Sequence, residues 1–558
     1  MKRILNKYWP LILVFALSFF VTWPLFKYGY FSHQDNLQVI RIFEMKKCFS
    51  DLQIPCRWVP DMGWGNGFPL FNFYGVSLYY LGALFSYIVG YIVSSKIIFF
   101  LSLVLGSFGI YLLAKSLWGK YAGMASAILY MFAPYKALDI YVRGALAESF
   151  ALAIIPFVFY FGYKLIVSPK NNKKQNNKYG ILFSLSLFVF MITHNIMVLI
   201  FIPILGLWML YWLYVEKWKN IKNVVLYVLF GIGMSCFFIL PAFLEKGLVQ
   251  TESLLRFELD FRANYLRIYQ LFFDRVWGYG TSIPGPEGGM NFQIGWPHWL
   301  LGLTSLVFIF NKKVTKKMKV LILGIIGAFL FSIFMTHNKS TFIWVNISLL
   351  KYFQFPWRFL SLSIFAASLL GGFIVSNFRS RWQLYLSVVV VLLSVLLNWQ
   401  YFKPKEFYSI KDSELLSDAS WDEQRKGALL DYLPKTALEP REEAPVEPLI
   451  VSGNAKTESF VNNSNKWKLD IEVTESSVIE VPVFYFPNWR VYVDGNKYPF
   501  TYDNILGRIS FTLEPGRYSI DGKFENTPVR TLGNTLSLIS IIGLAVYTIY
   551  GKNKKISK

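Results

Sequence analysis

Histidine and cysteine are scarce in this chain, with four His and three Cys in 558 residues. The histidines are spread along the sequence, and Cys48, Cys56 and Cys236 follow no ligand spacing, so a zinc cluster is excluded. Acidic residues are few as well: 34 Asp and Glu stand against 56 Lys and Arg, a net charge of +22. No internal repeat of fixed period is present, which argues against a solenoid or propeller. The long apolar runs are in turn almost free of charge at their centres. What remains is membrane composition: the chain is 54% hydrophobic, with a mean hydropathy of +0.40, and is too long for one soluble core.

The basic excess is not a nucleic-acid surface, which would need a continuous basic face. It falls in short clusters between apolar runs: Lys2/Arg3/Lys7, Lys115/Lys120, 164–178, 217–222, 312–319, Arg379/Arg381 and 552–558, with Glu216 the one acid among them. Short basic loops mark the cytoplasmic side of a membrane protein. The N-terminus opens like a signal peptide, but its apolar run is too long and no small-x-small cleavage site follows, so a retained anchor with its N-terminus inside is expected. Cys48 and Cys56 then lie outside, where a disulfide between them could persist.

Apolar runs read as spans at about 8–26, 97–114, 121–135, 145–166, 180–194, 196–215, 223–243, 296–310, 320–336, 359–376, 383–400 and 533–550. A further apolar stretch, 74–93, decides the topology. If it crossed the membrane, nearly all the basic clusters would face outward. If it is interfacial or re-entrant, they all face inward. The second reading is adopted, with both termini cytoplasmic in the plasma membrane.

Three outer segments follow: 27–96, rich in aromatics, Gly and Pro; 244–295, with a Gly/Pro turn at 285–289; and 401–532. The last begins irregularly and then alternates at period two over 466–473, 478–484, 490–493 and 509–513, with an Asp494-Gly495 turn signal. The fold class expected is a polytopic α-helical membrane protein of about twelve transmembrane helices with a small extracytoplasmic β-sandwich near the C-terminus. The domains are a transmembrane unit over 1–400, a β-rich unit over 401–532, and a last helix with basic tail over 533–558.

Chemistry gathers at the outer rim. Asp35 sits just beyond the first span, and a carboxylate there costs free energy unless it is solvated, paired or used. The same parity places Asp139, Arg143, Glu148, His194, His337 and Arg358 at outer helix ends or in outer loops. A carboxylate can take a hydroxyl proton as attack begins. An arginine fork suits a phosphate leaving group, and a histidine can donate to it. Each residue also has a structural reading: Asp35 as a helix cap, Arg143 with Glu148 as an ion pair, His194 and His337 as turn residues, Arg358 as a snorkelling side chain.

These positions resemble the GT-C glycosyltransferase superfamily, and more closely the YfhO-like and "6-pyruvoyl-tetrahydropterin synthase-related" membrane proteins. The likeness spans nearly the whole chain. It is carried by His33-Gln34-Asp35, Gly65-Asn66-Gly67-Phe68-Pro69-Leu70-Phe71-Asn72-Phe73-Tyr74, Arg143-Gly144-Ala145-Leu146-Ala147-Glu148, Thr193-His194-Asn195 and Phe355-Pro356-Trp357-Arg358. In the outer domain it is carried by Phe486-Pro487-Asn488-Trp489-Arg490-Val491-Tyr492-Val493-Asp494-Gly495.

The resemblance implies a GT-C-like fold and an inverting, polyprenyl-phosphate-sugar-dependent glycosyltransferase facing outward. Its partners would be the lipid-linked donor, a cell-envelope glycan, polymer or lipid acceptor, and the bilayer. The family's first acidic position maps onto Asp35 as candidate base, and its second onto Glu148 or, less well, Asp139. Arg143, His194 and Arg358 are the candidate phosphate ligands; His33, Asp139, Tyr74 and His337 are supporting candidates. The first loop has no Asp-x-Asp or Asp-Glu pair, which leaves a divalent metal ion open and assigns no other cofactor. The rivals are a flippase of lipid-linked saccharides, which would place polar groups at mid-membrane, and a non-catalytic membrane scaffold.

Overall fold

Apolar runs in a bilayer must satisfy every backbone group internally, and these runs do so as helices. The computed structural model describes residues 2–169, 171–255, 257–283 and 289–553. Among them, nine helices are long and apolar enough to cross a membrane: Tyr8–Phe26, Tyr91–Trp118, Leu146–Val167, Asn195–Val215, Ile221–Leu244, Lys316–Thr336, Pro356–Ser376, Ser380–Tyr401 and Pro528–Ile549. The other three expected spans are helices too, but short ones or ones with a polar start: Lys120–Met131, Lys173–Met191 and Trp296–Ile309. They pack against the long helices. The chain is a multi-pass membrane protein. The stretch 74–93 folds into Ser77–Val89, 13 residues and too short to span.

The two ends of the bundle differ. At one, the basic loops meet: Trp118 Nε1 donates to Met318 Sδ at 3.4 Å, Tyr211 Oη to the Lys317 carbonyl at 2.6 Å, and Asn220 Nδ2 to the Ser168 carbonyl at 2.8 Å. Lys170 and the tail from 554 lie outside the described residues, as does the expected turn at 285–289 apart from Gly289.

At the other end the three long segments interlock. Strand β1 (Tyr30–Phe31) pairs antiparallel with β2 (Phe407–Tyr408), Gln34 Nε2 donates to the Gly280 carbonyl at 2.9 Å, and Gln250 N donates to the Leu433 carbonyl at 2.9 Å. Cys48 and Cys56 are joined by a disulfide, Cα atoms 5.6 Å apart. Cys236 is free.

The C-terminal sheet comprises β3 (Leu449–Asn462), β4 (Lys466–Phe484), β5 (Trp489–Val493), β6 (Asn496–Tyr498), β7 (Arg508–Leu513) and β8 (Gly516–Phe524), all antiparallel. The expected strands over 466–473 and 478–484 are one 19-residue strand, β4, whose first half pairs with β8 and whose second half pairs with β7. That change of partner folds the sheet over its own core, where Trp467 stacks on Phe511 with centroids 6.3 Å apart. Asp494 and Gly495, both at positive φ, make the β5–β6 turn that their sequence signals.

This sheet is keyed to the first segment. Asn66 accepts from Phe484 N through its carbonyl and from Arg508 Nε through its side chain at 2.7 Å, and Trp58 packs edge-on against Trp489. Gly67, at φ +70°, lies so close to the Trp58 indole that a β-carbon would come within 2.6 Å of it. Much of the 65–74 motif is therefore explained by packing.

A buried ionic clasp holds the last span. Arg530 Nε pairs with Glu245 Oε2 at 2.9 Å, Thr527 Oγ1 donates to Glu245 Oε1, and Asn72 Nδ2 donates to Glu245 Oε2 at 2.9 Å. Arg530→Ala would leave a buried carboxylate without its counter-charge, an expected cost of about 3–5 kcal/mol. A lowered thermal midpoint and faster proteolysis of the 449–527 region should report it.

Candidate active site

Asp35 is fixed from both backbone and side chain. Just past β1, Gln34 N and Asp35 N donate to the Val142 and Arg143 carbonyls at 3.0 and 2.8 Å, so the first segment and the 143–148 motif are stitched together. The Asp35 carboxylate accepts from Arg41 Nη1 at 2.9 and 3.1 Å and from Gln38 Nε2 at 2.8 Å. Both donors lie on the helix Gln38–Ser50, with Gln38 in its first turn. The Arg41 guanidinium stacks over the Tyr74 ring, 4.4 Å from its centroid, and also donates to Tyr74 Oη at 3.3 Å. Asp35 is 31% exposed while Arg41 is 5% exposed, so the carboxylate is the accessible member of the pair.

Facing this is a buried charge cluster. Glu148 Oε2 accepts from Arg143 Nη1 at 2.9 Å and lies 3.6 Å from Arg358 Nε, while Tyr135 Oη donates to Glu148 Oε1. Arg143 also pairs with Asp139 and stacks over Trp357 at 4.4 Å. Arg358 Nη1 donates to the Phe353 carbonyl at 2.7 Å. His194 caps the helix Asn195–Val215, its Nδ1 accepting from Met197 N at 3.3 Å.

One cavity of about 660 Å³ brings these groups together. Of the residues singled out in the sequence, Asp35, Tyr74, Arg143, Glu148, His194 and Arg358 line it. His33, Asp139 and His337 do not. His33 is wedged between Tyr30 and Phe31, and burial pushes its imidazole down to about 4, against the pull of Asp35. Asp139 lies in a π-helical turn with no exposed surface; burial first, then Glu148, push its carboxyl well above the ordinary range, with Arg143 and Lys136 opposing. His337 caps the short turn Asn338–Ser340.

The cavity also holds groups the sequence reading missed: Arg41, Lys246, Tyr352, Asp431 and Tyr432. Arg41 carried a usable signal, since it follows Asp35 by six residues, within reach across the start of the helix. Asp431 carried none, lying in the irregular stretch before the β-strands. Apolar side chains extend the cavity toward the spans: Ile196 and Leu199 on Asn195–Val215, and Ala242 on Ile221–Leu244.

Asp35 is committed to Arg41, and Glu148 to two arginines. Among the described residues no three His, Cys, Asp or Glu side chains converge as metal ligands. A larger groove of about 910 Å³, between residues 25–29, 89–100 and 410–413, is mostly apolar, and its Asp412 is occupied in capping Tyr91 N and Ile92 N.

No family model and no curated protein matches the chain. Among solved structures it is similar to ArnT from Cupriavidus metallidurans bound to undecaprenyl phosphate, at 11% identity and TM-score 0.42, over 68% of this chain and 61% of that one. The Archaeoglobus fulgidus oligosaccharyltransferase is similar at 11% and 0.41, over 71% and 56%. So is the mycobacterial arabinofuranosyltransferase AftD, at 13% and 0.42, over 72% and 27%. The chain thus spans less than two thirds of each of these proteins.

Proposed function

We propose that the chain is an integral membrane glycosyltransferase that moves a sugar from a polyprenyl-phosphate donor to a cell-envelope acceptor. The observation that carries this reading is a single cavity with an acidic pole, Asp35, and a basic pole, Arg143 and Arg358 with a neutral His194 beside them, opening onto apolar walls of two spans. Transfer from a lipid phosphate needs these elements together. The isoprenoid chain lies along apolar side chains, the phosphate meets fixed cationic donors, and the acceptor hydroxyl approaches from the other side of the sugar.

Developing charge on the departing phosphate is best stabilised by donors already in place, and Glu148 holds both arginines in position before any substrate binds. Asp35, paired with Arg41, orients and polarises the acceptor hydroxyl. Attack from the acidic pole on a sugar whose phosphate sits at the basic pole is a single displacement and inverts the anomeric centre. The positive-inside pattern puts the basic loops in the cytoplasm and this cavity on the outer face of the plasma membrane. In this reading the C-terminal sheet, keyed to the first segment, contacts the acceptor.

The test is purified protein in lipid, given radiolabelled polyprenyl-phosphate sugars and a cell-envelope acceptor extract. Label is expected to move to the acceptor. Donor binding without transfer under any condition would favour the flippase, and no donor engagement at all would sink the reading.

A further inference from the structure

We propose that Asp431, contributed by the segment between the last two spans, is a catalytic residue of this cavity and takes the proton from the acceptor hydroxyl. The inference rests on the glycosyltransferase reading and divides the work at the acidic pole. Three carboxylates line the cavity: Asp35, Glu148 and Asp431. Glu148 is closed off by two arginines, and Asp35 already accepts from Arg41 and Gln38. A carboxylate so engaged orients a hydroxyl well but is a weak base. The Asp431 carboxylate has neither an ion pair nor a side-chain hydrogen bond among the described residues, so it is the one with free lone pairs facing the cavity.

Its position is built rather than incidental. Asp431 sits in the short helix Leu429–Tyr432, entered through Ala428 at φ +57°, a left-handed conformation that a residue with a β-carbon keeps only where its surroundings impose it. The next residue, Tyr432, stacks on Phe73 with rings 6° from parallel and on Phe68 at 15°. Val249 and Pro434 then pair across a bridge. These contacts hold Asp431 beside the Arg41–Tyr74 stack.

The charged and titratable groups sharing the cavity with it are Asp35, Arg41 and Tyr74 of the first segment, Arg143, Glu148, His194, Lys246, Tyr352, Arg358 and the adjacent Tyr432. Glu252, on the turn packed against this helix, is exposed and faces Lys435. Burial, with Asp35 adding and Arg41 opposing, pushes the Asp431 carboxyl up to about 6. That suits a general base working near neutral pH.

In the step, the acceptor O–H bond breaks as its oxygen bonds the anomeric carbon. The bond from that carbon to the phosphate oxygen breaks, its electron pair staying on the polyprenyl phosphate. The proton ends on Asp431 and leaves to solvent after product release.

Two measurements test this on the full chain in lipid. In wild type, kcat/KM is expected to fall as pH drops through about 6, because the base of the free enzyme must be ionised. Asp431→Asn should lower kcat at least about a hundredfold and abolish that acid limb, with acceptor KM little changed, and Asp431→Glu should restore both. Infrared difference spectra should show a carboxyl band titrating near pH 6 that Asp431→Asn removes, a readout independent of any substrate. If Asp431→Asn fails to fold, Asp431→Glu carries the test through a displaced acid limb and band. Wild-type rates with an unchanged acid limb in Asp431→Asn, or an unchanged band, overturn the assignment while leaving the transferase reading intact. Absence of transfer by wild type from every polyprenyl-phosphate sugar overturns both.

Discussion

Asp35→Asn is expected to leave a folded protein that transfers sugar about 10²–10⁴-fold more slowly than wild type. The fold should survive for three reasons. Asparagine has the same shape, and its carbonyl oxygen can still accept from Arg41 or Gln38. The backbone bonds of Gln34 and Asp35 to the 142–143 carbonyls do not involve the side chain. Activity should not survive, because the amide carries no negative charge to orient and polarise a hydroxyl, and Arg41 beneath it loses its ion pair. Transfer of label in the lipid-reconstituted assay, read beside the thermal midpoint, separates the two effects. Wild-type transfer by a folded Asp35→Asn protein would remove Asp35 from the catalytic machinery.

The second large effect is at the opposite pole. Glu148 is 1% exposed and is the shared counter-charge of Arg143 and Arg358, themselves nearly buried. Glu148→Gln leaves two guanidinium groups facing one another with only Asp139 to compensate, and breaking a buried pair in this way costs about 3–5 kcal/mol. The unfolding midpoint should fall clearly. Donor binding should weaken too, since both phosphate ligands lose the group that aims them. Arg358→Lys keeps the charge but loses the fork, so a smaller stability loss with weakened donor binding is expected there. Wild-type stability and donor affinity in Glu148→Gln would show that the cluster does not position the arginines.

Much of this architecture is legible without coordinates because the bilayer imposes long-range order on a local signal. Length and lack of charge mark the long spans, and the side taken by basic loops sets parity. Parity then carries Asp35, Arg143, Glu148, His194 and Arg358 to one end of the bundle although they are far apart in sequence. Period-two alternation of apolar residues marks β4, β5 and β7; in β5 and the first half of β4 it follows the buried face, while β7 is buried on nearly its whole length. Strands β3 and β8 escaped notice: much of their length is exposed, and β3 is interrupted by bulges, so neither alternates cleanly. The same parity also carried His33, Asp139 and His337 to the rim, and it cannot distinguish a side chain in the cavity from one packed beside it.

By itself, then, the sequence determined the membrane class, the end of the bundle where polar chemistry gathers, and the residue types available there. Tertiary structure alone decided which of those residues share a cavity and which are locked against one another. It also introduced Asp431, placed beside Asp35 by the stack of Tyr432 on Phe73. The physical reason is range. Burial and charge follow local composition and the membrane frame, whereas a site is defined by hydrogen bonds and ring contacts a few ångströms long between segments hundreds of residues apart.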